Sequence, residues 1–338
     1  MHEILASPAA TLYEALRRMR LIGGTEQPAL VPLAGGVSSD IYRVDLAERS
    51  ICLKRALPKL KVSAEWSAPV ERNQFEVEWM RTARAIAPDF VPRVIGHDPG
   101  SGTFAMEYLP PETHPVWKAQ LRDGEIDAAV ASEVARRIIA VHSATAQDPS
   151  IAKRFATDAI FHAIRLEPYL IATAARHPDC ALELGRLASV TAATKLALVH
   201  GDVSPKNILL GPCGPMLLDA ECAWHGDPAF DLAFCLNHML LKCLWRPQWR
   251  ERYLECFEAL AATYCALVTW EPPEVLEART ARLLPGLFLG RVDGKSPVEY
   301  LTDETDKDRV RRVARELLLH PVERIADIKN AWRRELER

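Results

Sequence analysis

The sequence predicts an α+β chain of two lobes, a small antiparallel-sheet lobe over residues 1–107 and a mostly helical lobe over residues 108–338. Three observations carry this. Short apolar segments punctuated by Gly, Pro and polar turns crowd into the first third of the chain, as strands do. Apolar residues at helical spacing dominate the remaining two-thirds. The length, 338 residues, is enough for two domains or for one domain with two lobes.

In chain order, "TLYEALRRMRLIGG" has helical apolar spacing and a Gly pair to end it. "ALVPLAGGVSSDIYRVDL" then reads as strand, Gly turn, strand, and "SICLKRAL" as a third strand after the polar turn "AERS". "APVERNQFEVEWMRTARAI" returns to helix, with Pro69 near its start. "FVPRVIGHD" and "GTFAMEYLP" are two more strands around the turn "DPGSG". Beyond "PPETHP" come the helical stretches "DAAVASEVARRIIAVHSAT", "FHAIRLEPYLIATAA" and "CALELGRLASVTAA". "LVHGDVSPKNILL" interrupts them, a short strand is expected at "GPMLLDAECAW", and long helices run from about Asp231 onward.

A chain 49% hydrophobic and 26% charged is built to form a packed core rather than to stay disordered. Its net charge of −3 supplies no general attraction to nucleic acid. The basic pieces "RRVAR" and "WRRELER" alternate with acids and read as solvated helix faces. The start, "MHEILASPAATLYEALRRM", lacks the basic head and unbroken apolar stretch of a signal peptide. No apolar run approaches the roughly 20 residues that span a bilayer. A cytoplasmic protein with no membrane or nucleic-acid partner is therefore expected. Its eight cysteines form no CxxC pair and no Cys/His cluster, and Cys235, Cys243 and Cys256 fall in apolar helical stretches as reduced core thiols.

The chemistry concentrates in "LVHGDVSPKNILL", where His200, Asp202, Lys206 and Asn207 sit between aliphatic flanks that should be buried. The offsets of His200, Asp202 and Asn207 are those of the protein-kinase catalytic loop H-R-D-L-x-x-x-N. There the Asp takes the substrate hydroxyl's proton while the Asn holds magnesium. Asp219 closes the apolar run "MLLDAECAW", where the same template places its other magnesium ligand, a carboxylate; Glu221 would share its face if the strand continued. Either piece alone reads equally well as an ordinary polar turn or strand-end cap. Their order makes the pair specific. Upstream, Ser38 and Ser39 in "LAGGVSSDIYRV" sit on a hairpin able to cover phosphates, and Lys54 in "ICLKRA" is placed to reach them. A helix carboxylate must hold that lysine, and "FEVEWM" offers Glu76 first and Glu78 second.

Together "GGVSSDIYRV", "CLKR", "HGDVSPKN", "LLDAE" and "GDPAFDLA" resemble the aminoglycoside phosphotransferase and choline-kinase-like superfamily of small-molecule kinases. The resemblance implies a protein-kinase-like fold and use of ATP and Mg to phosphorylate a small-molecule hydroxyl. It casts Asp202 as catalytic base, Asn207 and Asp219 as metal ligands, and Lys54 with Glu76 as the phosphate clamp. It casts Ser38 and Ser39 as phosphate-covering residues and Met106, Glu107 and Tyr108 as the adenine-holding strand. Asp227, Asp231 and His200 are implied to be positioning residues. Gly201 stands where protein kinases have Arg, and neither D-F-G nor A-P-E is present, so no switchable activation loop and no protein substrate are expected. Lys206 is the less expected residue, read either as an exposed loop lysine or as a catalytic cation on the transferring phosphate.

The acceptor is not named by the motifs: a sugar, polyol, amino alcohol or aminoglycoside-like molecule all fit. "GRVDGKSPVEYLTDE", residues 290–304, reads first as a surface connection between helices. Were it to face the site, Arg291, Asp293, Lys295 and Tyr300 would favour a polyhydroxylated or partly anionic acceptor over a polycation. A nucleotide-binding regulator without catalysis is the alternative function, against which the presence of Lys54, Asp202, Asn207 and Asp219 argues. Transfer of a nucleotidyl group has no positive sign in the sequence.

Overall fold

The structure is a computed structural model that describes residues 8–33, 38–58 and 69–338. The Gly turn of "LAGGVSSDIYRV", residues 34–37, lies outside them. The chain divides into two compact units, Met1–Thr113 and His114–Arg338.

Among the described residues the first unit is a five-stranded antiparallel sheet in the order β1-β2-β3-β5-β4 with two α-helices. The strands are β1 (Leu30–Pro32), β2 (Ser39–Asp45), β3 (Ser50–Ala56), β4 (Val94–Asp98) and β5 (Thr103–Glu107). All five expected strands form. Helix α1 (Pro8–Arg18) lays Leu12 and Leu16 on Val44, Ile51, Leu53 and Ala105 of the sheet. It ends earlier than its apolar spacing suggested, because Arg20 turns into the left-handed region at φ 58°. Strand alternation puts Cys52 and Lys54 on the face of β3 opposite Ile51 and Leu53. Helix α2 (Arg72–Ile86) serves that other face: Asn73, Glu76, Val77, Met80 and Ala83 form its buried stripe at helical spacing.

The second unit is mainly helical. Its elements are α3 (Trp117–Asp123), α4 (Ala128–Thr145), α5 (Pro149–Arg154), α6 (Asp158–Phe161), α7 (Ala172–Arg176), α8 (Ala181–Ala193), α9 (Pro228–Trp245), α10 (Arg250–Ala266), α11 (Pro273–Asp293), α12 (Glu304–Leu319) and α13 (Ile325–Leu336). Helix α9 is the core, buried from Pro228 through Leu244 and packed on α10 and α11. Between α6 and α7 the chain is π-helical over His162–Ile171, and the Ala172 N–H bonds to the Glu167 carbonyl five residues back. Pro168 explains the departure from the expected α-helix: it has no N–H to give and its ring displaces the regular ladder.

Two small antiparallel pairs sit against these helices, β6 (Ala197–Val199) with β9 (Trp224–Gly226) and β7 (Ile208–Gly211) with β8 (Gly214–Leu217). The strand expected at "GPMLLDAECAW" is thus shorter than its apolar run. It stops at Leu217, and Asp219 adopts φ 68°, so Asp219 and Glu221 do not share one strand face. Among the described residues no helix is long and apolar enough to cross a membrane. All eight cysteines are unpaired, and burial pushes the Cys52, Cys243 and Cys256 thiols up to about 12, which keeps them protonated and unreactive.

Candidate active site

In the first unit, Lys54 Nζ donates to Glu76 Oε1 at 2.8 Å, and both side chains are buried to within 3% exposure. The α2 stripe that buries Glu76 turns Glu78 away, where it pairs with Arg81 at 2.8 Å. Arg72, fully buried at the start of α2, donates to the carbonyls of Ser38 (2.6 Å), Leu57 (2.7 Å) and Pro69 (2.8 Å). It thereby ties α2 to the foot of β2 and the end of β3. Ser38 and Ser39 are buried at that foot. Met106 and Glu107 end β5 and Tyr108 follows, its ring 5.8 Å from the Arg43 guanidinium; the Glu107 N–H is already donated to the Arg93 carbonyl at 2.9 Å.

In the second unit the loop after β6 is fixed from several sides. Asp231, in the first turn of α9 and fully buried, accepts from the His200 N–H at 2.7 Å through Oδ2 and from the Gly201 N–H at 2.8 Å through Oδ1. His142 Nε2 lies 3.1 Å from the same Oδ2, and its Nδ1 is 2.6 Å from the Tyr264 hydroxyl. Asp227 caps α9 at the Ala229 N–H (3.0 Å).

Gly201 is required at its position: φ is 79°, and a Cβ there would come within 2.7 Å of Cys222 Cβ. His200 Nδ1 accepts the Asp202 N–H at 3.1 Å, so its Nε2 carries the proton and donates to the Leu218 carbonyl at 3.0 Å. Burial holds this imidazole's pKa below its ordinary value, which keeps it neutral and locked in that tautomer. One ring thus joins the loop of Asp202 to the chain entering Asp219.

Asn207 is brought to the same place. Its Nδ2 donates to the Asp202 carbonyl at 3.1 Å, and its carbonyl accepts the Leu218 N–H at 2.9 Å, extending the β7–β8 ladder to the residue before Asp219. The amide oxygen of Asn207 and the carboxylate of Asp219 are hard donors of the kind that suits magnesium or calcium.

Asp202 itself is buried, with Arg165 Nη2 3.0 Å and Lys206 Nζ 3.4 Å from its Oδ2. Burial works to raise its carboxyl, but Lys206 and Arg165 outweigh this and hold it below its usual value. The site therefore presents an ionised carboxylate. Arg165 also donates to the Gly201 carbonyl and, at 2.5 Å, to that of Ile164. Sequence reading missed Arg165, which stands on the π-helical turn far upstream of its partner. Lys206 remains half-exposed, and the Asp202 charge raises its ammonium's pKa.

Residues 294–303 form the expected connection between α11 and α12, exposed at Pro297, Glu299, Thr302 and Asp303, but the stretch begins inside a helix. Helix α11 runs through Asp293, and Arg291 and Asp293 are buried. Asp293 pairs with Arg311 (2.8 Å) and His177 (2.8 Å), and Lys295 with Glu167 (2.7 Å). Arg291 and Tyr300 instead line a small pocket with Lys206.

A family model described as the phosphotransferase enzyme family matches residues 29–267. The chain belongs to that family. Among its relatives, methylthioribose kinase 1 of Oryza sativa subsp. japonica is 24% identical over 254 residues, which cover 66% of this chain and 58% of that protein. Methylthioribose kinase of Escherichia coli O45:K1 (strain S88 / ExPEC) is 25% identical over 244 residues, 62% of this chain and 56% of that one. The chain thus spans under two-thirds of the length of these relatives. Its fold is that of the protein-kinase-like small-molecule kinases. A choline/ethanolamine kinase family protein from Mesorhizobium loti superposes with TM-score 0.50 at 17% identity, over 96% of this chain and 99% of that one. An amicoumacin kinase superposes with TM-score 0.53 at 14% identity, over 94% and 96%.

Proposed function

We propose that this phosphotransferase uses ATP and magnesium to phosphorylate a hydroxyl of a small molecule, with the sheet unit taking up nucleotide and the helical unit supplying the catalytic groups. The observation that carries the reading is Asp202: a buried carboxylate kept ionised by Arg165 and Lys206, in a loop whose backbone is pinned by Asp231 and His200. The kinship with methylthioribose kinases and the AMP-PNP and Ca2+ named with the amicoumacin kinase structure support it.

In this reading the acceptor hydroxyl donates its hydrogen bond to Asp202. Its oxygen bonds to the γ-phosphorus as the bond from that phosphorus to the β,γ-bridging oxygen breaks. ADP departs with the electron pair, and the hydroxyl proton passes to the carboxylate. A carboxylate of lowered pKa is a weak base, which suits a loose phosphoryl transition state that asks for orientation more than early deprotonation. Asn207 and Asp219 would hold the metal, which when bound neutralises charge on the phosphates. Lys54, steadied by Glu76, grips phosphate oxygens.

The test is ADP release from ATP across a panel of methylthioribose, other sugars, polyols, amino alcohols and aminoglycosides, with magnesium and with EDTA. Metal-dependent ADP formation with one class of acceptor supports the assignment. AMP as the product, or nucleotide binding without turnover on any hydroxyl compound, would overturn it.

Two variants probe the charges separately. Lys54→Met should weaken nucleotide binding at least tenfold and lower the melting temperature, because it breaks the buried pair with Glu76. Wild-type nucleotide affinity in the folded variant would remove Lys54 from the nucleotide site. Lys206→Met should lower turnover and move the acid limb of the kcat/KM profile to higher pH. The sign comes from the pair: Lys206 lowers the Asp202 pKa, so its loss lets the carboxyl protonate sooner as pH falls. An unmoved limb with full turnover would make Lys206 a bystander.

A further inference from the structure

We propose that Lys242 and Arg291, with Lys118 at the rim, form a subsite for an anionic group on the acceptor, so that the molecule phosphorylated at Asp202 carries a carboxylate or a phosphate of its own. This subsite rests on the phosphotransferase reading and narrows it.

The pocket lies wholly within the helical unit, and its walls include Lys118, Lys206, His238, Lys242, Arg291 and Tyr300. Lys206 places one end of it beside Asp202, 3.4 Å from that carboxylate. Lys242, 1% exposed and on the buried length of α9, lines the same pocket. Among the described residues no carboxylate forms an ion pair with it. Isolated buried ammonium groups are costly, and this one has been driven down to about 7 by its burial and by Lys118. Its ammonium lies 4.9 Å from the Trp245 ring centre and 5.0 Å from that of Tyr300, two rings that stack at 4.5 Å. Cation–π contact with those rings offsets part of the cost.

Neighbouring donors are also unfilled. Arg291 directs Nη1 to the Tyr169 hydroxyl (3.1 Å) and to the Ser296 carbonyl (2.5 Å), while its Nε has no hydrogen-bond partner. His238 Nε2 and the Tyr300 hydroxyl are likewise buried and unpartnered. His238 is 5% exposed and Arg291 7%, so water does not readily supply the missing bonds. The carboxylate facing the pocket, Glu299, is engaged by Lys118 at the exposed rim. Cations without counter-ions and donors without acceptors, closed on one side by aromatic rings, are what a carboxylate or phosphate completes. A polycationic acceptor would instead meet repulsion from Lys242 and Arg291.

Charges on each element facing Lys242 fix the sign of a pH dependence. His238 is held neutral by burial and its cationic neighbours, and Glu299, whose partial desolvation works the other way, is held ionised by Lys118. Lys206 keeps its charge beside Asp202. Lys242 is therefore the group among these that changes charge near neutrality, and anion affinity should fall as pH rises through that region.

The experiment measures binding of sulfate, whose charge is constant across this range, and of acetate, to the full chain saturated with magnesium and a non-hydrolysable ATP analogue, so that the nucleotide phosphates are already in place. Lys242→Met, Lys242→Arg and wild type are compared. Wild type should bind one of the two anions, the tighter one telling phosphate-like from carboxylate-like acceptors, with affinity falling from about pH 6 to about 8.5. Lys242→Met should weaken that binding tenfold or more without lowering the melting temperature, since it removes a buried charge, and Lys242→Arg should restore most of it. Anion binding unchanged in Lys242→Met, or absent from wild type, would overturn the subsite. Because the readout is anion binding rather than turnover, it stands or falls separately from the kinase assignment, which the nucleotide titration and ADP release report.

Discussion

Asp202→Asn should lower turnover by roughly 10² to 10⁴, the range lost with a positioned acid–base group, while nucleotide affinity changes little. The substitution keeps the shape of the side chain and removes its charge. Arg165 at 3.0 Å and Lys206 at 3.4 Å then face an amide instead of a carboxylate. An amide oxygen still accepts from Arg165 but cannot take the acceptor's proton, and its NH2 group can be turned toward the incoming hydroxyl as a competing donor. Stability falls as well, because Arg165 is buried and loses its counter-ion. The melting temperature and a nucleotide titration separate this from lost activity through unfolding. A folded Asp202→Asn protein with turnover within tenfold of wild type would take Asp202 out of the chemistry and the kinase proposal with it.

Much of the second unit's centre is legible in "HGDVSPKN" because the roles are local. His200, Asp202 and Asn207 hydrogen-bond to one another within the loop, so their spacing carries their geometry. The Lys54–Glu76 pair is half-legible. Helical periodicity distinguishes Glu76 from Glu78 only once the face of α2 that meets β3 is known, and the structure supplies that face. Arg165 is illegible from sequence. Its approach to Asp202 depends on the π-helical turn set by Pro168, and that irregularity leaves no periodic trace. Lys242 does leave a signal: a lone cation in the apolar run "FCLNHMLLKCLW" is costly wherever that run is buried, and α9 buries all of it through Leu244. The 290–304 stretch is legible in part: Gly294 and its polar neighbours do form the connection between α11 and α12, while the end of α11 before them carries Arg291 inward.

Asp231→Ala should cost about 3–5 kcal/mol of stability and at least a hundredfold in turnover, although Asp231 touches neither nucleotide nor acceptor in the proposed reaction. Each carboxylate oxygen has its own backbone donor, Oδ2 the His200 N–H and Oδ1 the Gly201 N–H, and Oδ2 also faces His142. Alanine leaves two buried N–H groups and an imidazole without acceptors, at about 1–3 kcal/mol each before relaxation. Relaxation is where function is lost. The Gly201 peptide is held in the left-handed region against Cys222, and freeing it releases the His200 ring that joins Asp202 to the Leu218 carbonyl. Asp202, Asn207 and Asp219 would then lose their common reference. Asp231→Asn is the discriminating variant. It preserves volume, but one of its two atoms must present NH2 to a backbone N–H, so it should behave much more like alanine than like wild type. Turnover and a thermal melt on both variants check this. Near-wild-type activity in Asp231→Asn would mean that the packing of Gly201 against Cys222 holds the loop by shape alone, and that the carboxylate's two hydrogen bonds contribute to stability without positioning Asp202.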